Sequence, residues 1–298
     1  MRRGPTSNNA ASEKGSTVTS AGGWQPTTFL RFEEPFDSSM GTARIVTDAG
    51  AAYIKAMGSR QGPHQLACEL VGTQLARWLG LPTFDFAIMS IDAEVDEIPF
   101  FRGGKAASGP AFVTRAVSGH TWGGSEQELD AVVNPEAISW LVVFDTWTLN
   151  CDRHPPDLTV RRPKLDNVFL ERVGDKEKAE FRLVAMDQTH CFTCGGELTP
   201  KIASIDRVKD LRLYGMFPAF AARVRDETVA KAIERLGQLN EDAVDEMIQS
   251  VPELWEVNQK VRAAWKELIC RRAEFVAESV MNQIAKVCWP SQLFDKKR

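Results

Sequence analysis

Two hydrophobic periods alternate along the chain, and the points where one gives way to the other mark its elements. Ala43 to Thr47 and Ala51 to Met57 are short apolar runs around Asp48-Ala49-Gly50, which predicts a β-hairpin. From His64 to Leu79 the period is helical. Leu66, Leu70, Val71, Leu75, Trp78 and Leu79 share a face, Gly80 stands where a left-handed C-cap is wanted, and Pro82 forbids continuation. Phe86 to Ile91 and Ala111 to Val117 read as strands again. Asn134-Pro135-Glu136 then supplies a helix start, with Asn as the cap, Pro at the first helical position and an acid in the first turn. The following Ala137 to Leu149 is apolar almost all round, which predicts a buried helix.

Val168-Phe169-Leu170 and Leu183 to Met186 are strand-like runs joined by the polar link Glu171 to Glu180, a second predicted hairpin. After Thr199 the pattern is helical: Pro218 to Asp226, Glu227 to Leu239, Glu241 to Val251, and a long stretch from about Glu253 to Val287. The fold class expected is α+β in two lobes, a small β-rich lobe over residues 24–117 and a mainly helical lobe over 118–298 whose helices fill 199–298. Residues 1–23, rich in Ser, Thr, Asn, Gly and Ala and without an apolar run of signal-peptide length, are expected to be a disordered tail.

The chemistry concentrates in 150–192. Asn150-Cys151-Asp152-Arg153-His154 is a polar turn after the buried helix, Asn167 opens one strand of the second hairpin, and Asp187 closes the other. The hairpin brings Asn167 and Asp187 back toward the turn carrying Asp152. Phosphoryl transfer needs such a set: one carboxylate to orient and deprotonate a hydroxyl, and an Asn and an Asp to hold magnesium on nucleotide phosphates. Lys55 lies inside a strand on the half-buried face of Tyr53 and Met57, where an ammonium needs an anion; ATP phosphates would supply it, and an edge strand facing water is the other reading. The turn Ser39-Met40-Gly41-Thr42 could offer backbone N–H groups to a phosphate, although an ordinary hairpin turn has the same composition. The strand ending near Arg115 and Val117 reads as the hinge, with backbone groups for an adenine edge.

The Asp152-Arg153-His154 turn, the Asn-led strand and the strand-end Asp together resemble the catalytic segment of HipA-like kinases, and the turn is similar to that of phosphoinositide kinases. The run Lys55, Glu69, Leu79-Gly80-Leu81-Pro82 and Phe86 to Ile91 resembles the first lobe of HipA-like kinases. The resemblance implies a protein-kinase-like fold and magnesium-dependent transfer of the ATP γ-phosphoryl group to a hydroxyl, with Ser or Thr of a protein as the first choice of acceptor. A lipid or small-molecule kinase, an AMP transferase and a nucleotide-binding pseudokinase are the rivals. It casts Asp152 as the catalytic carboxylate, with His154 as a loop support or rival base, Glu69 as the partner of Lys55 or else an exposed glutamate, and Asp187 as a metal ligand.

The sequence departs from the family pattern in two places. Asp157 stands where the compact pattern has its metal Asn, so that either Pro155 to Asp166 is an insertion and Asn167 binds metal, or Asp157 does. Asn167 is preferred because its strand can pair with Leu183 to Met186. The inserted Arg161, Arg162 and Lys164 could meet an acidic substrate, but on their own read as a solvated basic loop. Gln188-Thr189-His190 replaces the Phe-Gly of ordinary protein kinases, so activation-loop rules do not transfer.

A net charge of -4 leaves no electrostatic footprint for nucleic acid, and no apolar segment has the length to span a membrane. Six scattered cysteines read as reduced thiols in a cytoplasmic protein, and His190, Cys191 and Cys194 lack the second pair that a structural zinc site requires.

Overall fold

The computed structural model describes residues 23–174 and 180–290; the expected tail at 1–23 lies, but for its last residue, outside them. Five antiparallel strands make the first sheet: β1 (Phe29–Pro35), β2 (Ala43–Thr47), β3 (Gly50–Lys55), β4 (Phe86–Ile91) and β5 (Gly109–Arg115), in the order β1-β2-β3-β5-β4. Alternation gives the sheet two different faces. Ala43, Ile45, Ala52, Ile54, Met89, Ala111 and Val113 point to one side, where Trp24 and the connection after β4, through Ile98, Phe100 and Ala106, cover them. Tyr53, Lys55, Phe112 and Thr114 point to the other and line a cleft. β1 is an addition to the predicted elements, an edge strand whose two register shifts break its alternation.

Helix α1 (His64–Leu79) packs under the cleft face, ended as expected by Gly80 at φ 109°, whose N–H reaches Ala76 and Arg77 carbonyls. After the short strand β6 (Gly119–Thr121) and helix α2 (Glu126–Asp130) comes α3 (Glu136–Thr148), buried on nearly every side. Its start differs from expectation. Asn134 does not cap it with its side chain; the amide instead bonds both backbone groups of Leu183, at 2.8 and 3.1 Å, and so docks the helix on the second sheet. That sheet, in the order β6-β7-β8, contains β7 (Val168–Val173) and β8 (Glu180–Ala185) in the register Val168 to Ala185.

Helices α4 (Ile205–Val208), α5 (Pro218–Ala221), α6 (Asp226–Leu236), α7 (Glu241–Gln249) and α8 (Gln259–Cys288) complete the second lobe. The long last helix starts later than its periodicity predicts, because Glu256 takes a left-handed φ of 62° and Asn258 then caps Val261 N–H. From α8, the fully buried Arg272 donates to the carbonyls of Thr146 and Trp147 at the end of α3, and to those of Arg207, Val208 and Asp210. A cation on the free carbonyls of a helix C-terminus is favourable, and here it fixes the end from which the turn carrying Asp152 departs. Among the described residues no helix is long and apolar enough to cross a membrane.

Candidate active site

The turn after α3 is built by local hydrogen bonds. Leu149 takes a left-handed φ of 56°, Asn150 donates its backbone N–H and its amide to Asp145, and Asn150 Oδ1 accepts Asp152 N–H at 3.2 Å. The buried Arg153 guanidinium then ties three chain segments together. It pairs with Asp145 Oδ1 and donates to Asn167 O at 3.1 Å and Met186 O at 2.7 Å. One side chain thereby holds the turn carrying Asp152 against the start of β7 and the end of β8. Gly215, at φ 71°, packs on the same aspartate; a Cβ there would lie 2.3 Å from Asp145 Oδ2.

Burial pushes the Asp145 carboxyl up to about 6, against the pull of Arg153 and Asn150, and its Oδ2 is buried without a hydrogen bond. A carboxyl raised above its unfolded value binds its proton more tightly in the folded state, so its contribution to stability falls as pH rises from about 4 to about 6. Denaturant unfolding across that window should show the parent losing about 1–3 kcal/mol relative to Asp145→Asn. Parallel profiles for the two proteins would show that Asp145 does not titrate there.

On the cleft face, Lys55 Nζ lies 2.9 Å from Glu69 Oε2 and 2.9 Å from Asp187 Oδ1. Glu69 is buried on α1 and is no surface glutamate. Burial alone would lower the Lys55 pKa, but the two carboxylates hold it above the ordinary lysine value; burial likewise opposes, and Lys55 and Thr189 outweigh, in keeping Asp187 well below the carboxylate range. Asp187 sits at a left-handed φ of 56°, a conformation that Asp tolerates better than most residues and that recurs at functional sites.

Asn167 Nδ2 donates to Asp152 Oδ2 at 2.9 Å. The structure therefore places Asn167, and not Asp157, with the site. Asp157 is exposed and closes a local turn by accepting from Thr159 N and Oγ1. His154 is also away from the cleft, its ring edge-on to Phe217 and its carbonyl bonded to Gly215 N–H. Burial lowers its pKa. The expected phosphate turn is corrected too. Met40 is buried in the core, while Gly41 N–H goes to Ser38 O and Thr42 N–H to Ser38 Oγ, so two of the turn's amides are engaged within it. Ser38 and Thr42, rather than Ser39, line the cleft, as do Arg115 and Val117 of the hinge.

Three residues belong to the site beyond those the sequence nominated. Arg161 Nη1 lies 2.7 Å from Asp152 Oδ1, Lys164 Nζ lies 2.9 Å from Oδ2, and His190 Nδ1 lies 3.4 Å from Oδ2. The loop is largely exposed, as a solvated loop would be, but Arg161 and Lys164 tie it to the turn carrying Asp152. The cysteines are not all free: Cys151 and Cys194 form a disulfide.

The cleft, of about 330 Å³, is lined by Phe36, Tyr53, Phe84, Phe112 and Phe169 together with Lys55, Asn167 and Asp187. A lining that joins aromatic rings with an ammonium and two oxygen donors could take a nucleotide with its phosphates. Because Asn167 uses its Nδ2 on Asp152, and Asp187 receives Lys55 and Thr189 on Oδ1 alone, each keeps an oxygen without a bond from the described residues. Hard oxygen donors of this kind suit magnesium, which is held by one or two protein oxygens together with phosphates and not by a full protein cage. No cluster of three or more His, Cys, Asp or Glu that could hold a metal ion occurs among the described residues.

A small antiparallel sheet lobe, a helical lobe and a cleft between them define a protein-kinase-like fold. Within that class, the family model for HipA-like kinases matches residues 45–172. Comparison with curated proteins gives no match. Among solved structures, the proinflammatory kinase CtkA of Helicobacter pylori is similar with a TM-score of 0.56 at 9% identity, over 88% of this chain and 97% of that one. Hydra Fam20 with sugar gives 0.46 at 12% identity over 86% of each chain, and WaaP in complex with acyl carrier protein gives 0.33 at 14% identity over 82% of this chain and 89% of that one.

Proposed function

We propose that the protein is an ATP- and magnesium-dependent kinase of HipA-like type that transfers the γ-phosphoryl group to a hydroxyl, with Ser or Thr of a protein as acceptor. The observation that carries this reading is the joining of Lys55 to both Glu69 and Asp187 at 2.9 Å, on the cleft where Asn167 meets Asp152 at 2.9 Å. Glu69 fixes Lys55 in the direction of the nucleotide phosphates, and a fixed cation stabilises developing charge without reorganising. Asp187 and Asn167 would hold magnesium, which when bound with the nucleotide supplies neutralisation of the β- and γ-phosphate charge. Asp152 orients the acceptor hydroxyl and takes its proton. Arg153, from behind, keeps Asp152, Asn167 and Asp187 in register, and positioning of this kind matters because a displacement of about 1 Å can cost roughly 100-fold in rate.

The test is incubation of the purified chain, treated with dithiothreitol, with γ-labelled ATP and magnesium, alone and with cell extract. Label is expected on a protein band and, after acid hydrolysis, on phosphoserine or phosphothreonine. Nucleotide binding without transfer of either γ-phosphoryl or AMP to any acceptor would reduce the protein to a nucleotide-binding module. One observation favours that second reading: Asp152 is fully buried, with both carboxylate oxygens occupied.

A further inference from the structure

Asp152 is the group that the proposed reaction needs at the surface of the cleft, yet its exposure is 0% and it does not line the cleft. Oδ2 takes Lys164 and Asn167, and Oδ1 takes Arg161 at 2.7 Å. The place at Oδ1 where an acceptor hydroxyl would bond is therefore held by a guanidinium. Arg161 has a second anchor, since its Nη2 donates to the Cys194 carbonyl at 3.2 Å. Cys194, in turn, is bonded through its sulfur to Cys151, the residue directly before Asp152, across 43 residues of sequence with Cα atoms 5.6 Å apart. The disulfide fixes the carbonyl, the carbonyl fixes the guanidinium, and the guanidinium covers the carboxylate.

The segment carrying Cys194 is held on its other side as well. Gln65, from the first turn of α1, donates to Gly195 O and Gly196 O at 3.0 and 2.9 Å. Phe192 and Cys194 both sit at left-handed φ values, 65° and 53°, which non-glycine residues rarely adopt. Such a segment relaxes when a tie is cut. The two sulfurs differ in access, Cys151 being buried and Cys194 exposed, so the bond can be attacked from solvent at Cys194.

We propose that the Cys151–Cys194 disulfide is a redox latch that keeps Arg161 on Asp152, so that the oxidised protein is idle and reduction by a dithiol frees the carboxylate for an acceptor hydroxyl. This rests on the reading of Asp152 as the catalytic carboxylate. In the opening step, one thiolate of the dithiol attacks Cys194 Sγ, the S–S bond breaks, and Cys151 leaves as a thiolate that takes a proton. The second thiol then closes on the mixed disulfide and releases Cys194. Two electrons and two protons pass from the dithiol, which ends as a disulfide, to the two cysteines. Arg161, without its carbonyl anchor, swings to water, and its side chain is already one-third exposed.

The test uses the full chain, oxidised or treated with dithiothreitol, with two readouts. Trypsin cleavage between Arg161 and Arg162 reports release of Arg161, since the next bond, Arg162 to Pro163, resists the protease. Transfer of label from γ-labelled ATP reports the carboxylate. Both are expected to rise about tenfold on reduction, the factor that a charge-assisted hydrogen bond of modest strength is worth. Cys194→Ser should match the reduced parent in both readouts without dithiothreitol and respond no further to it. Arg161→Gln with the disulfide intact should transfer label without reductant. Equal cleavage in the oxidised and reduced parent overturns the latch, as does faster transfer by the oxidised form, or release of Arg161 with no gain in rate where transfer is measurable. Release of Arg161 on reduction with no transfer in any state supports the latch and overturns the kinase reading instead.

Discussion

Asp152→Ala, assayed under a dithiol reductant, is expected to transfer phosphoryl groups roughly 10²–10⁴-fold more slowly than the parent, the range that a positioned general base contributes. Nucleotide affinity should be unchanged within error, because Lys55, Asn167 and Asp187, which face the phosphate end of the cleft, stay where they are. Alanine is the better replacement than asparagine. Oδ1 faces Arg161, and Oδ2 faces Lys164 and Asn167, all of them donors, so an amide nitrogen would oppose a donor in either orientation. The cost to the fold should be small. Arg161 and Lys164 are 34% and 45% exposed and can reach water when the carboxylate is gone. At about 1 kcal/mol for each such pair, and about 2 °C per kcal/mol for a chain of this size, the melting temperature should fall by about 2–4 °C. Turnover that survives the substitution would remove Asp152 from the mechanism, whereas loss of turnover with loss of folding would be repeated with Asp152→Ser.

What the sequence shows of this arrangement, and what it hides, follows from the range over which each signal acts. Elements with a strong period of their own were legible: α1 between its expected ends, α3 as a buried helix, and the hairpin that carries Asn167 and Asp187. β1 was not, since its register shifts and its Arg31, Glu33 and Glu34 disguise an edge strand as a polar link. Glu69 reads as either the partner of Lys55 or an exposed glutamate, because periodicity registers only the helix itself. Its burial comes from Lys55 and Asp187, which lie on other elements. Arg161 and Lys164 looked like solvated charges for a similar reason: the fold-back that brings them to Asp152 depends on the turn at Leu165–Asn167 and on Lys164 N–H reaching Arg153 O. A single sequence gives no pattern for either contact. Cysteine pairing is equally silent at a separation of 43 residues, and the family resemblance points to His154 while His190, further along the chain, is the histidine that approaches Asp152.

The lysine at the centre of the cleft makes the other large effect. Lys55→Met keeps the length of the side chain and removes its charge, leaving Glu69 and Asp187, which now share one ammonium, to face each other. Removing one partner from a buried ionic group costs about 3–5 kcal/mol, because the remaining charges stay desolvated and unpaired. The melting temperature should therefore drop by about 6–10 °C at neutral pH. Nucleotide binding should be lost together with it, since the other cation lining the cleft, Arg115, is paired with Asp85. The pH dependence has a definite sign. Burial already holds the Glu69 carboxyl above its ordinary value, against the pull of Lys55. Without Lys55 it rises further, and a carboxyl whose folded-state pKa is raised is best tolerated while protonated. The deficit should thus be smallest near about pH 4–5 and grow as pH rises toward 7. Adding Glu69→Gln to Lys55→Met separates the two roles of the lysine: the double variant should recover much of the melting temperature, having no buried charge pair left to repel, and still fail to bind nucleotide. If the single variant melts with the parent at pH 7 and binds nucleotide normally, Lys55 is neither the hub of the buried ion pair nor the phosphate ligand.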